Sequence, residues 1–158
     1  ITRLEDMGIE RYLITSAVNG VLAQRLLRTL CKACRTPSEL SDEIIAEHGL
    51  QRYMSSPNDV VYQPKGCPEC KNTGYRGRTG IHELFTLDSS MHEAIVSGAD
   101  STALHTLARR NGRYTLFEDG LRKVALGMTS MEELLRVTLD QQEELPDPAS
   151  EMALEIPA

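Results

Sequence analysis

Cys67-Pro-Glu-Cys70-Lys-Asn-Thr-Gly74-Tyr-Arg-Gly77, together with the earlier Cys31-Lys-Ala-Cys34, decides how this chain is read. The two stretches hold all four cysteines of the protein as matched C-x2-C pairs. A C-x2-C turn aims two sulfurs at one point. Two such turns supply the four soft thiolates that a tetrahedral zinc ion takes at about 2.3 Å. Four protein ligands leave the metal no open position, so a zinc held this way stabilises and does not catalyse. The 32 residues between the pairs exceed ordinary ribbon spacing and must carry structure of their own. The same spacing has two other readings. Paired disulfides would require an oxidising compartment. A redox-active C-x2-C is usually a single pair opening a helix in a βαβ unit.

Outward from the cysteines the chain is rich in charge but balanced. Residues 1–139 contain 17 Lys+Arg and 17 Asp+Glu, so the formal −6 of the 158-residue protein comes from Asp140, Glu143, Glu144, Asp147, Glu151 and Glu155. With Pro146, Pro148 and Pro157 among them, these residues predict a solvated, largely disordered tail; an acidic partner-binding tail is the functional alternative. A neutral body argues against non-specific nucleic-acid binding, which needs net phosphate neutralisation. Arg28, Lys32, Arg35, Lys65, Lys71, Arg76 and Arg78 gather near the cysteines. A zinc with four thiolates carries a local charge of −2, which such cations would offset. There is no tryptophan and only 4% aromatic residues, so the core must rest on Leu, Ile, Val, Ala and Met. No apolar run approaches the ~20 residues of a membrane span, and no charged-then-apolar leader marks secretion. Ile1 as first residue suggests a chain processed or cut from a longer one.

Apolar spacing predicts one helix over 10–30, with Leu13, Ile14, Ala17, Val18, Val21, Leu22, Leu26 and Leu27 in a broad stripe that delivers Cys31 at its end. A short helix is expected over 38–49, capped by Ser38 and stopped by Gly49. Ser55-Ser-Pro-Asn58 reads as a turn, Val60-Val-Tyr62 as a short strand, and Thr79 to Phe85 as a strand that reverses the chain. Helices follow over 88–97 and 101–110, the first capped by Asp88 and stopped by Gly98, the second ending at Asn111-Gly112. Thr115-Leu-Phe-Glu118 and Ser130-Met-Glu-Glu133 are capping boxes, each opening an apolar-striped helix.

The sequence contains no G-x-x-x-x-G-K-[ST] and no H-E-x-x-H. His82-Glu83 and His92-Glu93 are adjacent pairs that point to different faces, and His48 and His105 stand alone as ordinary polar residues. Ser16, Ser41 and Ser89 lack a neighbouring base. The residues by themselves therefore describe a binding or assembly module, not an enzyme.

Segment order adds a resemblance. Ala23-Gln-Arg-Leu-Leu-Arg28 runs into the first cysteine pair. Lys65-Gly-Cys-Pro-Glu-Cys-Lys-Asn-Thr-Gly-Tyr-Arg-Gly-Arg-Thr-Gly-Ile81 leads to His-Glu-Leu. Then come Glu118-Asp-Gly-Leu-Arg-Lys-Val124 and Gly127-Met-Thr-Ser-Met-Glu-Glu-Leu-Leu-Arg-Val-Thr138. Over residues 1–139 this closely resembles the C-terminal third of the secretion ATPases of bacterial type II secretion and type IV pilus assembly. Arg113-Tyr-Thr-Leu-Phe-Glu118 departs somewhat from the family's usual start to that helix, though the capping box survives.

The resemblance implies a mainly α fold with a small β element: a tetracysteine zinc subdomain followed by a small helical bundle, as the C-terminal part of a RecA-like ATPase domain. It implies a helical end of the ATPase core at 1–30, the zinc subdomain at 31–80, a strand plus helical bundle at 81–139 and an acidic tail at 140–158. Cys31, Cys34, Cys67 and Cys70 match the family's zinc ligands. Gln24 and Arg25 match a segment beside the nucleotide-bearing core, where a core or subunit contact competes with plain packing on an amphipathic helix. Arg76 and Arg78 match knuckle positions that could face a partner. ATP and Mg2+ belong to boxes that precede this region in the family, so ATP hydrolysis is not expected of this chain alone. The implied partners are neighbouring subunits of a hexamer and an inner-membrane platform protein, with the motor in the cytoplasm, peripheral to the inner membrane. Two other readings stay open: a free-standing zinc-ribbon module that binds nucleic acid or protein, and a thiol redox protein.

Overall fold

The computed structural model describes residues 1–38, 40, 42–56, 60–110 and 114–138. Its centre is a long antiparallel ladder. Strand β1 (Gly20–Leu30) pairs with β4 (Tyr75–Thr86) from Gly20↔Thr86 to Arg28↔Arg78; a register shift follows, and Leu30 then pairs with Tyr75. A second, minimal sheet joins β2 (Thr36–Pro37) to β3 (Tyr62–Gln63). Around them lie α1 (Thr2–Asp6), α2 (Arg11–Ala17), α3 (Asp42–Glu47), α4 (Ser89–Ser97), α5 (Ser101–Arg110), α6 (Leu116–Ala125) and α7 (Met131–Thr138). Seven helices and small antiparallel sheets among the described residues agree with the expected class, though the ladder begins earlier and runs longer than predicted.

The predicted helix over 10–30 is the main correction. Helix α2 stops at Ala17, Val18 is already extended, and residues 20–30 form β1, so it is a strand that delivers Cys31. Alternate residues of a strand share a face. Leu27 and Ile81, which lies diagonally across the ladder opposite Arg25, are fully buried, whereas Leu22, Leu26 and Leu84 are about half exposed. A strand with apolar residues on both faces loses its period-two signature and cannot be told from a buried helix by spacing. The Asn19-Gly20 pair was the available breaker signal.

Helix starts after the cysteine region follow local chemistry closely. Asp88 Oδ1 accepts from the Met91 amide at 3.0 Å to open α4. The Thr115 box closes in both directions, with Glu118 N to Thr115 Oγ1 at 3.2 Å and Thr115 N to Glu118 Oε2 at 2.8 Å. The Ser130 box forms only its first half: the Glu133 amide donates to Ser130 Oγ at 3.2 Å, while the carboxylate turns to Arg28 and Arg136. Charge-assisted arginine bonds outweigh a neutral amide. Helix α3 is shorter than predicted, and Ser38 does not cap it; the Ser38 amide donates to the Val61 carbonyl at 2.8 Å beside the β2–β3 pair. Ser41, Pro57-Asn58, Asn111-Gly112-Arg113 and the acidic tail lie outside the described residues.

One core gathers Leu27, Leu50, Val61, Ile81, Leu116, Leu121, Val124, Met131 and Leu134, between the ladder and helices α6 and α7. A second, smaller one joins Met91, Ile95, Leu104 and Ala108 under α4 and α5. One amide on each outer edge of the ladder is met by a carboxylate: the Arg28 amide donates to Glu133 of α7 and the His82 amide to Asp119 of α6, each at 3.0 Å. No helix among the described residues is long and apolar enough to cross a membrane.

Candidate metal centre

The end of β1 and the start of β4 bring the two C-x2-C turns together. Cys31 and Cys67 sulfurs lie 3.9 Å apart, Cys34 and Cys70 3.8 Å, and Cys67 and Cys70 3.8 Å. All four donors fall within 4.8 Å of one another. Tetrahedral ligation at about 2.3 Å requires sulfur–sulfur edges of about 3.8 Å. A disulfide needs about 2.05 Å, and all four cysteines are free. The geometry is thus compatible with zinc binding. Among the described residues it is the one cluster of His, Cys, Asp or Glu that could hold a metal.

The backbone builds this cage from both sides. The Cys31 amide donates to the Gly74 carbonyl at 2.9 Å, tying the first turn to the second. Cys67 and Gly74 amides both donate to Cys70 Sγ at 3.2 Å. Gly74 sits at φ +76°, where an added Cβ would overlap Pro64 Cβ at 2.4 Å, so only glycine fits. Lys71 and Asn72 also take positive φ, +53° and +61°, as the chain turns back onto the Cys67 carbonyl. Burial raises the Cys70 thiol, but the two amides and the adjacent thiols more than reverse this and bring it to about 6. Burial pushes Cys34 the other way, to about 11, against the Gly66 amide.

The expected cations take distinct roles. Arg28 and Arg136 grip Glu133, whose side chain is fully buried: Arg28 Nε and Nη2 reach Oε2 at 2.9 and 2.6 Å, and Arg136 Nε and Nη2 reach Oε2 and Oε1 at 2.9 and 2.8 Å. Burial would raise the Glu133 carboxyl, but the two guanidiniums and the Arg28 amide hold it at about 2. Arg28 also lies over the Tyr75 ring, 4.1 Å from its centroid. The Arg136–Glu133 pair is an i, i+3 contact within α7, but the Arg28 half of the cluster was not legible in the sequence, because Arg28 and Glu133 are 105 positions apart. Arg76 makes an exposed pair with Glu69 at 3.3 Å, and Arg78 is exposed. Gln24 and Arg25, expected side by side on one helix, sit on opposite faces of β1. Gln24 is exposed on the face that carries Leu22 and Leu26, opposite His82. Arg25 turns inward and donates to the Val137 carbonyl at 2.8 Å, fastening the end of α7.

Beside β4 and α6 an open cleft of about 350 Å³ is lined by His82, Leu84, Tyr114, Asp119, Arg122 and Lys123. Its charges are already engaged: Lys123 pairs with Asp119, and Arg122 lies over the Tyr114 ring.

Comparison with known proteins accounts for the segment order. Residues 1–136 match the family described as Type II/IV secretion system protein. The chain is 46% identical over 138 residues to the type II secretion system protein E of Aeromonas hydrophila, covering 87% of this chain and 27% of that protein. Identity and coverage are the same for the type II secretion system ATPase E of Vibrio cholerae. The type IV pilus assembly ATPase PilB of Thermus thermophilus is 41% identical over 140 residues, 89% of this chain and 16% of its own length. The chain spans about a quarter or less of the relatives it matches. With a family match across nearly all the described residues, and with secretion and pilus proteins 46% and 41% identical over the aligned stretches, the chain belongs to the type II/IV secretion system protein family.

Proposed function

We propose that this chain is the zinc-bearing C-terminal part of a hexameric motor subunit that powers type II secretion or type IV pilus assembly. Its own role is structural and force-transmitting. Cys31, Cys34, Cys67 and Cys70 hold one zinc ion in a closed site, with no position left for substrate. The observation that carries this reading is the four-sulfur cage at tetrahedral spacing, set in a chain whose relatives are named secretion and pilus ATPases. ATP and Mg2+ would bind elsewhere in the full-length protein, in its RecA-like core.

The outer face of the ladder supports the same reading. Leu22, Leu26 and Leu84 are 59, 49 and 52% exposed, and apolar residues grouped on one sheet face call for a covering surface. The remainder of the ATPase domain would supply it, with Gln24 in that contact. Exposed Arg76 and Arg78 at the knuckle would face a neighbouring subunit or the inner-membrane platform protein, on the cytoplasmic side. Native mass spectrometry of the chain should find one zinc per polypeptide; markedly less would refute the site. In the full-length motor, Cys67→Ser should abolish secretion or pilus assembly. Unchanged output after verified zinc loss would end the force-transmitting role.

A further inference from the structure

Resting on the zinc reading above, we infer that the turn between α6 and α7, Gly127 to Ser130, is energetically coupled to the metal centre, with Arg35 as the positioning residue that links them. Four consecutive residues of this turn are each bonded to a residue within five positions of a cysteine. The Gly127 carbonyl accepts from Arg35 Nη1, one residue after Cys34. The Met128 carbonyl accepts from the Leu30 amide at 2.9 Å, one residue before Cys31. Thr129 Oγ1 donates to the Arg28 carbonyl at 2.8 Å. Ser130 Oγ and Tyr75 Oη share a hydrogen bond at 2.7 Å, and Tyr75 directly follows the glycine whose amide supports Cys70 Sγ. Thr129 and Ser130 are buried, so these bonds are not replaceable by water at no cost.

Arg35 is the tightest of these links. Its guanidinium lies over the Tyr62 ring, 4.3 Å from the centroid, while it reaches the Gly127 carbonyl. Gly127 takes φ +65°, and a Cβ there would meet Tyr62 at 2.8 Å and Arg35 Nη1 at 3.1 Å. The turn is therefore shaped to one arrangement of the residues flanking the metal. Closing the cage fixes Leu30, Arg35 and Tyr75 together, and that arrangement seats the turn. Coupling free energies are reciprocal: by whatever factor bound metal favours the seated turn, the seated turn favours metal binding. Residues more than 55 positions from any cysteine would then set zinc affinity.

The test is zinc affinity of the full chain, measured by competition with a chromogenic chelator. Gly127→Ala and Arg35→Ala should each weaken zinc binding roughly tenfold, within the usual range of site-to-site coupling. Arg35→Lys, which keeps the charge but loses the planar stack-and-bond geometry, should behave like the alanine variant. Arg109→Ala removes an exposed cation on α5, away from both the metal and the turn. Ile95→Ala loosens the second core, away from the metal. Both should leave affinity within threefold. Full affinity in Arg35→Lys, an equal loss in Arg109→Ala or Ile95→Ala, or no loss in Gly127→Ala would each overturn the coupling. A wild-type chain that binds no zinc would overturn the underlying metal reading instead, and the coupling with it.

Discussion

The two ends of the β1–β4 ladder are held by different physics. At the Gly20/Thr86 end, helices α4 and α5 pack Met91, Ile95, Leu104 and Ala108 into a small apolar core, and each start is set by nearby residues such as Asp88. At the Leu30/Tyr75 end, the work falls to four sulfurs and to polar groups distant in sequence: Arg28 with Glu133, Arg28 with Thr129, Tyr75 with Ser130. The first end follows local rules and apolar area. The second adds a cage and long-range polar bonds to the flank of the main core, where Leu27 and Leu30 are buried. A pair of ends built this way should fail separately, and the variants below separate them.

The largest effect is expected from Cys67→Ser. Structural zinc in small modules binds with ~10–16 kcal/mol, part of which is folding energy, so losing one ligand should cost on the order of 5 kcal/mol. Hydrogen exchange should show the Leu30/Tyr75 end opening while α4 and α5 keep their protection. Uniform loss of protection would erase the distinction between the ends. Ile95→Ala is the mirror experiment. Truncating this buried side chain should cost about 3 kcal/mol by lost transfer energy and cavity, read by urea unfolding, with zinc retained.

Glu133→Gln comes next. Breaking a buried ion pair costs ~3–5 kcal/mol. Here the arginines are 44 and 58% exposed, and the discount for solvent screening brings the expectation to about 2 kcal/mol. Its pH signature is specific. The Glu133 carboxyl is depressed from 4.5 to about 2 in the folded chain, so its stabilisation is complete above 4.5 and is lost as pH falls toward 2. The wild-type urea midpoint should fall through that window more steeply than the midpoint of Glu133→Gln. Parallel profiles would mean that the cluster contributes nothing. Smallest of all, Thr115→Ala removes a closed capping box and should cost about 1 kcal/mol, seen as a lower thermal midpoint with metal content unchanged.

Legibility from sequence tracked the same division. The caps at Asp88 and Thr115, and the stripe of α6, are rules that act within a few residues, and they hold. The cysteine quartet was legible because zinc chemistry fixes ligand type and spacing together. The stretch 20–30 was misread as helix because Leu22, Leu26 and Leu27 satisfy helical spacing while serving two faces of a strand. The Ser130 box was half right, since its glutamate found not only Arg136, an i, i+3 neighbour, but also Arg28, which no local rule could anticipate.

By itself the sequence determined that four thiols meet, where the later helices begin, and to which family the chain belongs; these depend on side-chain chemistry and short-range geometry. Only the tertiary structure decided that the segment before Cys31 is a strand, that Gln24 and Arg25 part to opposite faces, and that Glu133 is sealed between Arg28 and Arg136. Those outcomes turn on which surfaces remain to be covered once the chain has closed on itself, and residues 100 positions apart choose one another only then.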